Sequence, residues 1–282
     1  MDICVYPDHI ERNFEEKESK VREKIKYFPH ETTEKKSCLI RRADEEVVVD
    51  GGDFVQTSVH DFVMSVKNPN LKIEYLTVGL GKKSEVDQSD MPKVAENVVE
   101  FLKAINEQLS VAFANATSLA HVETFQLHFD GDAQNILSFL PFFQPETLKV
   151  IDLRNNGEAG KILEVDQIVE LEQWRCARHF WTNGFLLKTP VDNILHFGFL
   201  DITLETLRPE DVVQMKEKFL HMEDFSMAML TCSNLNQQAI TESLAAPPGG
   251  HPFDIAFPVP NDEPRKLHFM ILNDFIRIFK DH

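Results

Sequence analysis

The chain has 282 residues, of which 43% are apolar, and its 46 acidic and 29 basic side chains leave a formal net charge of −17. A chain of this length can bury roughly three quarters of its unfolded surface, while the negative charge argues against nucleic acid and anionic membranes as partners. Cys4, Cys38, Cys176 and Cys232 lack paired spacing, and no run approaches the ~18 apolar residues of a membrane helix. With no cationic, apolar leader at the N-terminus, the sequence predicts a soluble cytoplasmic or nuclear protein.

The first 34 residues are predicted to form a charged N-terminal region, and residues 35–282 an interaction domain. Between residues 8 and 27, charged side chains predominate, and the few apolar ones recur at helical spacing, which predicts an amphipathic helix. The apolar positions of this stripe are Ile10, Phe14, Val21 and Ile25.

Strand and helix patterns alternate after this region. Residues 37–42 and 46–50 predict an antiparallel hairpin, since two apolar runs flank a short polar turn. A helix capped by Thr57 or Ser58 is predicted to follow, with a strand over residues 71–80. Further helices are predicted at 91–109, 132–139, 165–176 and 209–221, and a C-terminal hairpin at 267–272 and 275–279.

A short apolar run recurs four times in the middle of the chain, each time followed by a helical or turn segment. Its anchors are Phe125, Ile151, Phe180 and Leu200, separated by steps of 26, 29 and 20 residues. Steps of this size are typical of stacked strand-helix units. The sequence therefore predicts an α/β fold, a leucine-rich-repeat-like stack forming a curved sheet, with an N-terminal and a C-terminal hairpin.

Because side chains of a strand alternate between its two faces, the residues between the buried positions of these strands should point outward. Together they predict one exposed row of partner-binding residues. The predicted row consists of Gln126, His128, Asp152, Arg154, Trp181, Asn183, Asp201 and Thr203. Trp181 is the strongest candidate, since an exposed tryptophan among polar groups has the character of a binding hot spot.

No motif with a catalytic, cofactor-binding or metal-binding mechanism is found in the sequence. Gly79 and Gly81 lack the third glycine of a dinucleotide fingerprint, and Cys176 with His179 lacks the second ligand pair of a zinc site. The alternative of an enzyme places its site in the polar loop 234–252, a length at which loops often carry function. Its candidate residues are His251, Glu242 and Asp254.

Three segments in order resemble the FTH domain, the module that follows the F-box in nematode F-box proteins of the A class. They are the run at 136–153 with its Pro-Phe-Phe and Glu-Thr-Leu elements, the Leu-Glu-Gln-Trp helix within 168–178, and the His-Phe pair at 194–197. The segment 66–75 is similar to the one that precedes this domain, and the resemblance covers residues 35 to 280.

The resemblance implies an adaptor for a cullin-RING ubiquitin ligase, in which the F-box holds Skp1 and the FTH domain holds the protein target. An F-box needs about forty residues of helical hairpins beginning near a Leu-Pro pair. Residues 1–34 offer neither, so the Skp1 and cullin link is in doubt for this chain. We therefore expect target recognition for a ligase or, as the alternative, a ligase-independent binder that competes with F-box relatives.

Overall fold

The computed structural model describes residues 1–15, 22–31, 36–43, 45–81, 90–116, 118–245, 254–260, 262 and 264–281. The chain divides into two compact units, Met1–Glu158 and Ala159–His282, which we call unit 1 and unit 2. The boundary predicted between residues 34 and 35 falls in a segment outside the described residues.

Unit 1 contains a sheet with the strand order β8-β7-β6-β1-β2-β3-β4-β5. Its strands are β1 (Asp2–Val5), β2 (Ile10–Glu15), β3 (Arg22–Glu31), β4 (Lys36–Arg42), β5 (Glu45–Asp50), β6 (Lys72–Leu80), β7 (His121–Phe129) and β8 (Val150–Asn155). The four strands from β8 to β1 are parallel, and the others pair antiparallel. The helices of this unit are α1 (Phe54–Val66), α2 (Met91–Phe113) and α3 (Ala133–Leu137).

One face of the unit 1 sheet packs against helices. The apolar residues Val59, Phe62, Val63 and Val66 of α1 are buried, and the hydroxyl of Tyr27 on β3 donates a hydrogen bond to Asp61 of α1 at 2.8 Å. Helix α2 is anchored through Asn97, whose amide donates to the carbonyl oxygens of Tyr6 and Pro7. Because the helices cover this face, the polar residues that alternate with the core point to the opposite one.

Unit 2 contains a sheet with the strand order β14-β15-β16-β13-β12-β10 and a separate parallel pair formed by β9 and β11. The strands are β9 (Lys161–Glu164), β10 (His179–Asn183), β11 (Phe185–Lys188), β12 (Phe199–Thr203), β13 (Met227–Thr231), β14 (Asp254–Pro258), β15 (Lys266–Ile271) and β16 (Phe275–Lys280). Strands β10, β12 and β13 are parallel, and β16, β15 and β14 add antiparallel pairs. The helices are α4 (Glu172–Cys176), α5 (Pro209–His221) and α6 (Gln237–Ser243).

The parallel strands of unit 2 are joined by connections of different kinds. Helix α5 links β12 to β13, and it begins at Pro209 as predicted, with Asp211 accepting a hydrogen bond from the backbone N–H of Arg208. A proline fits the first turn of a helix because its missing N–H would have no helical partner there. The connection from β10 to β12 instead runs through β11 and a single 3-10 turn.

The α/β class and both hairpins are confirmed. Strands β4 and β5 pair antiparallel, as do β15 and β16. The helices predicted at 91–109 and 209–221 are present, and Asp132 caps α3 by accepting from the N–H of Gln134 at 2.9 Å. Helix α1 begins earlier than predicted, because its N-cap is Asp53 and not Thr57 or Ser58. The Asp53 side chain accepts hydrogen bonds from the backbone N–H groups of Val55 and Gln56, which have no partner within the helix.

The predicted N-terminal helix is wrong, since residues 10–15 and 22–31 form the antiparallel strands β2 and β3. Ile10 lies opposite Tyr27, and both are buried. The spacing of four between Ile10 and Phe14 fits a strand as well as a helix, because four is an even number. Val21 and the rest of 16–21 lie outside the described residues.

Two further predictions are corrected. Within the helix predicted at 165–176, residues 166–170 form turns and only Glu172–Cys176 is helical. The loop predicted at 234–252 contains α6, whose N-cap Asn236 accepts a hydrogen bond from the N–H of Ala239 at 3.1 Å. Residues 246–253 of that loop lie outside the described residues. Across the described ranges, no helix is both long and apolar enough to cross a membrane.

Candidate interaction faces

The inward half of the recurring strands forms the core, as predicted. In unit 1, Phe125 packs against Phe139 and Phe143 with ring centroids 6.0 and 5.1 Å away. The four anchors and the residues two positions after them are all buried: Phe125, Leu127, Ile151, Leu153, Phe180, Thr182, Leu200 and Ile202. Strand alternation therefore places the predicted binding residues on the outward sides of these strands, four in each unit.

In unit 1 the four predicted residues form one hydrogen-bonded chain. Gln126 lies opposite Asp152 and His128 opposite Arg154 on the parallel pair β7 and β8. The amide of Gln126 donates to Asp152, and its carbonyl oxygen lies 3.1 Å from Nε2 of His128. Arg154 donates through Nε and Nη2 to the same carboxylate, at 3.1 and 2.9 Å. These four polar side chains therefore make hydrogen bonds with one another.

The prediction that Asp152 is exposed is wrong, because only 2% of this residue is accessible to solvent. Arg154 and Gln126 cover it from two sides, so its carboxylate is not available to a partner. Arg154, whose side chain is 45% exposed, presents the accessible charge of this group. Asp152 thus orients Arg154, and Gln126 and His128 are half-buried beside them.

In unit 2, Trp181 on β10 lies directly beside Asp201 on β12. Trp181 is half-buried, whereas Asp201 is exposed. Thr203 is half-buried and neighbours Thr231 of β13, and Asn183 is exposed at the end of β10. Trp181 and Asp201 are therefore the predicted residues that the fold brings together in this unit.

Sequence reasoning missed most of the residues around this pair. His179 and Phe199 precede Trp181 and Asp201 by two positions, so they share the same face. The ring of Phe199 stands nearly perpendicular to the indole of Trp181, with centroids 5.6 Å apart and an interplanar angle of 85°. His179 lies 6.3 Å from the indole and 5.9 Å from Phe199. Extending the alternation rule by one step would have identified both.

The same face continues onto β13 and β16, whose residues the sequence analysis did not include in the predicted row. Met227 and Met229 of β13 neighbour Phe199 and Asp201, and they are followed on β16 by Phe279 and Arg277. The guanidinium of Arg277 lies over the ring of Phe279, 5.0 Å from its centroid. We call this set the unit 2 face: His179, Trp181, Phe199, Asp201, Met227, Met229, Arg277 and Phe279.

Two ionisable groups of the unit 2 face are shifted by their surroundings. Burial by neighbouring side chains raises the pKa of Asp201, because the charged carboxylate loses water. Burial lowers the pKa of His179 from its ordinary value for the same reason, so its ring is neutral at neutral pH. The face therefore carries an incompletely solvated carboxylate among aromatic and thioether side chains.

The residues of the alternative enzymatic site do not form a catalytic group in the described structure. His251 lies outside the described residues. Glu242 accepts a hydrogen bond from Gln238 on its own helix, and Asp254 lies 3.4 Å from His268 on the neighbouring strand. Among the described residues, no group of three or more histidine, cysteine, aspartate or glutamate side chains could hold a metal ion.

Two of the surface clefts of unit 2 lie apart from its face. One, of about 520 Å³, is lined by Asp192, His196 and His221 among others. The other, of about 600 Å³, contains two ion pairs, Lys188 with Glu164 and Arg208 with Asp211. In the second cleft these four charged side chains pair with one another, and neither cleft assembles a nucleophile with a base.

Two of the three segments that resemble the FTH domain, 168–178 and 194–197, meet in the core of unit 2. Trp174, from the Leu-Glu-Gln-Trp helix, is 1% exposed and donates its indole N–H to the carbonyl oxygen of Asn193 at 2.9 Å. Its ring lies edge-on to Phe180 and Phe197, at 4.7 and 5.1 Å. These residues stabilise the fold, so their pattern identifies a fold and not a catalytic site.

Comparison with known proteins agrees with this pattern. A family model described as the FTH domain matches residues 102–247, which are 146 of the 282 residues. The chain is also similar to F-box A protein 224 of Caenorhabditis elegans, with 23% identity over 188 residues. That alignment covers 64% of this chain and 43% of the relative, so the chain spans less than half of that protein's length. No solved structure matches significantly.

Proposed function

The chain belongs to the FTH domain family, and from this premise we propose that it is a non-enzymatic, F-box-associated protein-interaction module that recognises a protein target. The observation that carries the proposal is the unit 2 face, where Trp181 stands beside Asp201 amid further aromatic and methionine side chains. Tryptophan is enriched at the energetic centres of protein interfaces, and methionine adapts to different partners.

Two groups of residues are proposed to contact the target. In unit 2 they are Trp181, Asn183, Asp201 and Thr203; in unit 1 they are Arg154, Gln126 and His128, with Asp152 orienting the arginine. We also propose, as the finer description of the fold, that the recurring strands form a leucine-rich-repeat-like curved surface. Surfaces of this kind bind along rows of side chains and need no enclosed pocket.

Partner recovery tests the proposal directly. The tagged chain and a Trp181→Ala, Arg154→Ala variant are used for affinity purification from a C. elegans lysate, followed by mass spectrometry. We expect proteins enriched by the unaltered chain to be lost with the variant. A Met64→Ala, Arg175→Ala variant is the matched control, because both residues are about 60% exposed and lie on helices α1 and α4, not on the strands that carry the proposed residues. Equal recovery by all three proteins would contradict the proposed surface.

We propose that the chain recruits its target, as a substrate, to a cullin-RING ubiquitin ligase through Skp1. The alternative is a ligase-independent binder that competes with F-box relatives for the same targets. Skp1 in the recovered material, at a level unaffected by the Trp181→Ala, Arg154→Ala change, would support the ligase setting. Recovery of a target without Skp1 would favour the competitor.

A further inference from the structure

Asp201 occupies an unusual position on the unit 2 face. Trp181 flanks it on β10 and Met229 on β13, at the roughly 4.8 Å spacing of neighbouring strands. Within the part of unit 2 that the structure describes, no ion pair or hydrogen bond involves the Asp201 carboxylate, although the carboxylates of Asp211 and Asp224 on the same unit both pair with arginines. An acidic side chain among aromatic and thioether groups is therefore left without a cation.

The rings beside Asp201 form a corner that can hold a cation. The indole of Trp181 and the ring of Phe199 are almost perpendicular, at 85°. Cations are attracted to the faces of aromatic rings, most strongly to tryptophan. His179, the third ring of this corner, is neutral at neutral pH because burial lowers its pKa, so it does not repel a positive charge.

Among the described residues of this row, no positively charged side chain lies beside Asp201. The next cation along this row is Arg277, two strands from Asp201 and therefore about 10 Å away by strand spacing. Its guanidinium lies over Phe279 at 5.0 Å. An anion at the corner would face Asp201 directly, so charge complementarity selects a cationic group.

We propose that Asp201, Trp181 and Phe199 form a subsite for an arginine or lysine side chain of the partner protein. The inference rests on the proposed protein-binding function and adds the chemistry of the bound residue. Asp201 accepts hydrogen bonds from the cationic head, and Trp181 supplies a ring face on which a planar guanidinium stacks. Arginine suits both contacts better than lysine, since its charge lies in a plane.

Two small probes that differ only in charge test the subsite. N-acetyl-arginine amide is compared with the neutral isostere N-acetyl-citrulline amide, by NMR titration of the full chain. The indole N–H signals of Trp174 and Trp181 are assigned with a Trp181→Phe variant. We expect the arginine probe to shift the Trp181 signal with a millimolar Kd, about fivefold tighter than citrulline, a ratio expected for one exposed ion pair with a ring contact. The buried Trp174 signal should not move.

Substitution of the carboxylate separates charge from ring contact. Asp201→Asn should remove the preference for arginine over citrulline, and Asp201→Glu should retain it. Asp166→Asn, at an exposed acid outside the unit 2 face, is the matched control and should also retain the preference. Equal binding of the two probes by the unaltered chain, or a preference that survives in Asp201→Asn, would overturn the assignment. An unchanged set of amide signals elsewhere excludes misfolding as the cause.

The subsite and the wider proposal can fail separately. A protein target that is lost with Trp181→Ala but binds Asp201→Asn with unchanged affinity overturns the cationic subsite and leaves the interaction face supported. A chain that prefers the arginine probe but recovers no partner through Trp181 overturns the protein-binding role. A target whose recovery falls with Asp201→Asn and with mutation of one of its own arginines or lysines supports both.

Discussion

Nε2 of His196 lies 2.9 Å from the carbonyl oxygen of Trp174, so the imidazole N–H donates to the backbone of the helix that carries the tryptophan. Burial, the main cause, lowers the pKa of His196 from its ordinary value of 6.5. The unfolded chain therefore takes up the proton at a higher pH than the folded chain. The stability that His196 contributes is present above pH 6.5 and is lost as the pH falls through the lower, folded-state pKa.

A His196→Gln variant tests this pH dependence, because glutamine can donate a hydrogen bond but does not titrate. We expect the free energy of unfolding of the unaltered chain to fall relative to the variant between pH 7.5 and 5.5. Urea unfolding followed by circular dichroism at both values gives the difference. His179, whose pKa is also lowered, contributes to both proteins and cancels. An equal response to pH would contradict the prediction.

The two tryptophans should separate stability from binding. Trp174→Ala removes a ring that is 1% exposed and should cost about 3–5 kcal/mol in the free energy of unfolding. Trp181 is half-buried, so Trp181→Ala should cost at most about 1.5 kcal/mol while reducing target recovery. Urea denaturation of both variants checks the contrast, and a larger loss for Trp181→Ala would show that it serves the core.

Asp152 and Arg154 should be coupled energetically. Asp152→Ala leaves Gln126 and Arg154 without their shared acceptor, and we expect it to cost about 1–3 kcal/mol. The double variant with Arg154→Ala should be less destabilised than the sum of the single variants, by at least about 0.5 kcal/mol. A double-mutant cycle measured by urea unfolding tests this, and strict additivity would contradict the hydrogen-bonded chain on this face.

Glu11 should contribute stability in a lower pH range. Its side chain is 11% exposed and lies 2.8 Å from Nζ of Lys24 and 3.4 Å from that of Lys26. Although burial raises its pKa, the bonds from Lys24, Asn13 and Lys26 outweigh this and lower it from 4.5.

Because the folded-state pKa of Glu11 is the lower one, its contribution is present above pH 4.5 and disappears as the pH falls through that folded-state value. Unfolding of Glu11→Gln against the unaltered chain from pH 7 to 3 should give a difference that shrinks with acid. The exposed Glu15→Gln variant is the control and should change stability by less than about 0.5 kcal/mol at any pH. A Glu11 difference that stays constant would contradict the prediction.

Gly198 should be intolerant of any side chain. A Cβ atom at this position would lie 2.6 Å from the backbone oxygen of Asp224, which cannot move without displacing the start of β13. We expect Gly198→Ala to cost about 1–3 kcal/mol. Ser226→Ala is the matched control: it removes only the hydroxyl's bond to the Gly198 carbonyl, at 2.9 Å, and should cost about 1 kcal/mol or less. Thermal unfolding that ranks Gly198→Ala as the milder change would refute this.

Much of the fold could be predicted because its signals are local. Helix α2 follows a long apolar stripe, and the C-terminal hairpin follows two strand patterns around Asn273 and Asp274. The N-terminal strands could not be predicted, because an apolar spacing of four residues fits both a helix and a strand. Only the pairing of Ile10 with Tyr27 decides between them. Pairing between distant segments leaves no local signal.

By itself, the sequence determined which residues of the recurring strands point into the core, because strand alternation follows from backbone geometry and the apolar side chains must leave water. It therefore also determined that Trp181 and Asp201 lie on outward faces. Only the tertiary structure decided that these two are neighbours, that Phe199 and Met229 surround them, and that Asp152 is covered by Arg154. Strand order and register set these contacts, and both depend on the packing of the whole unit.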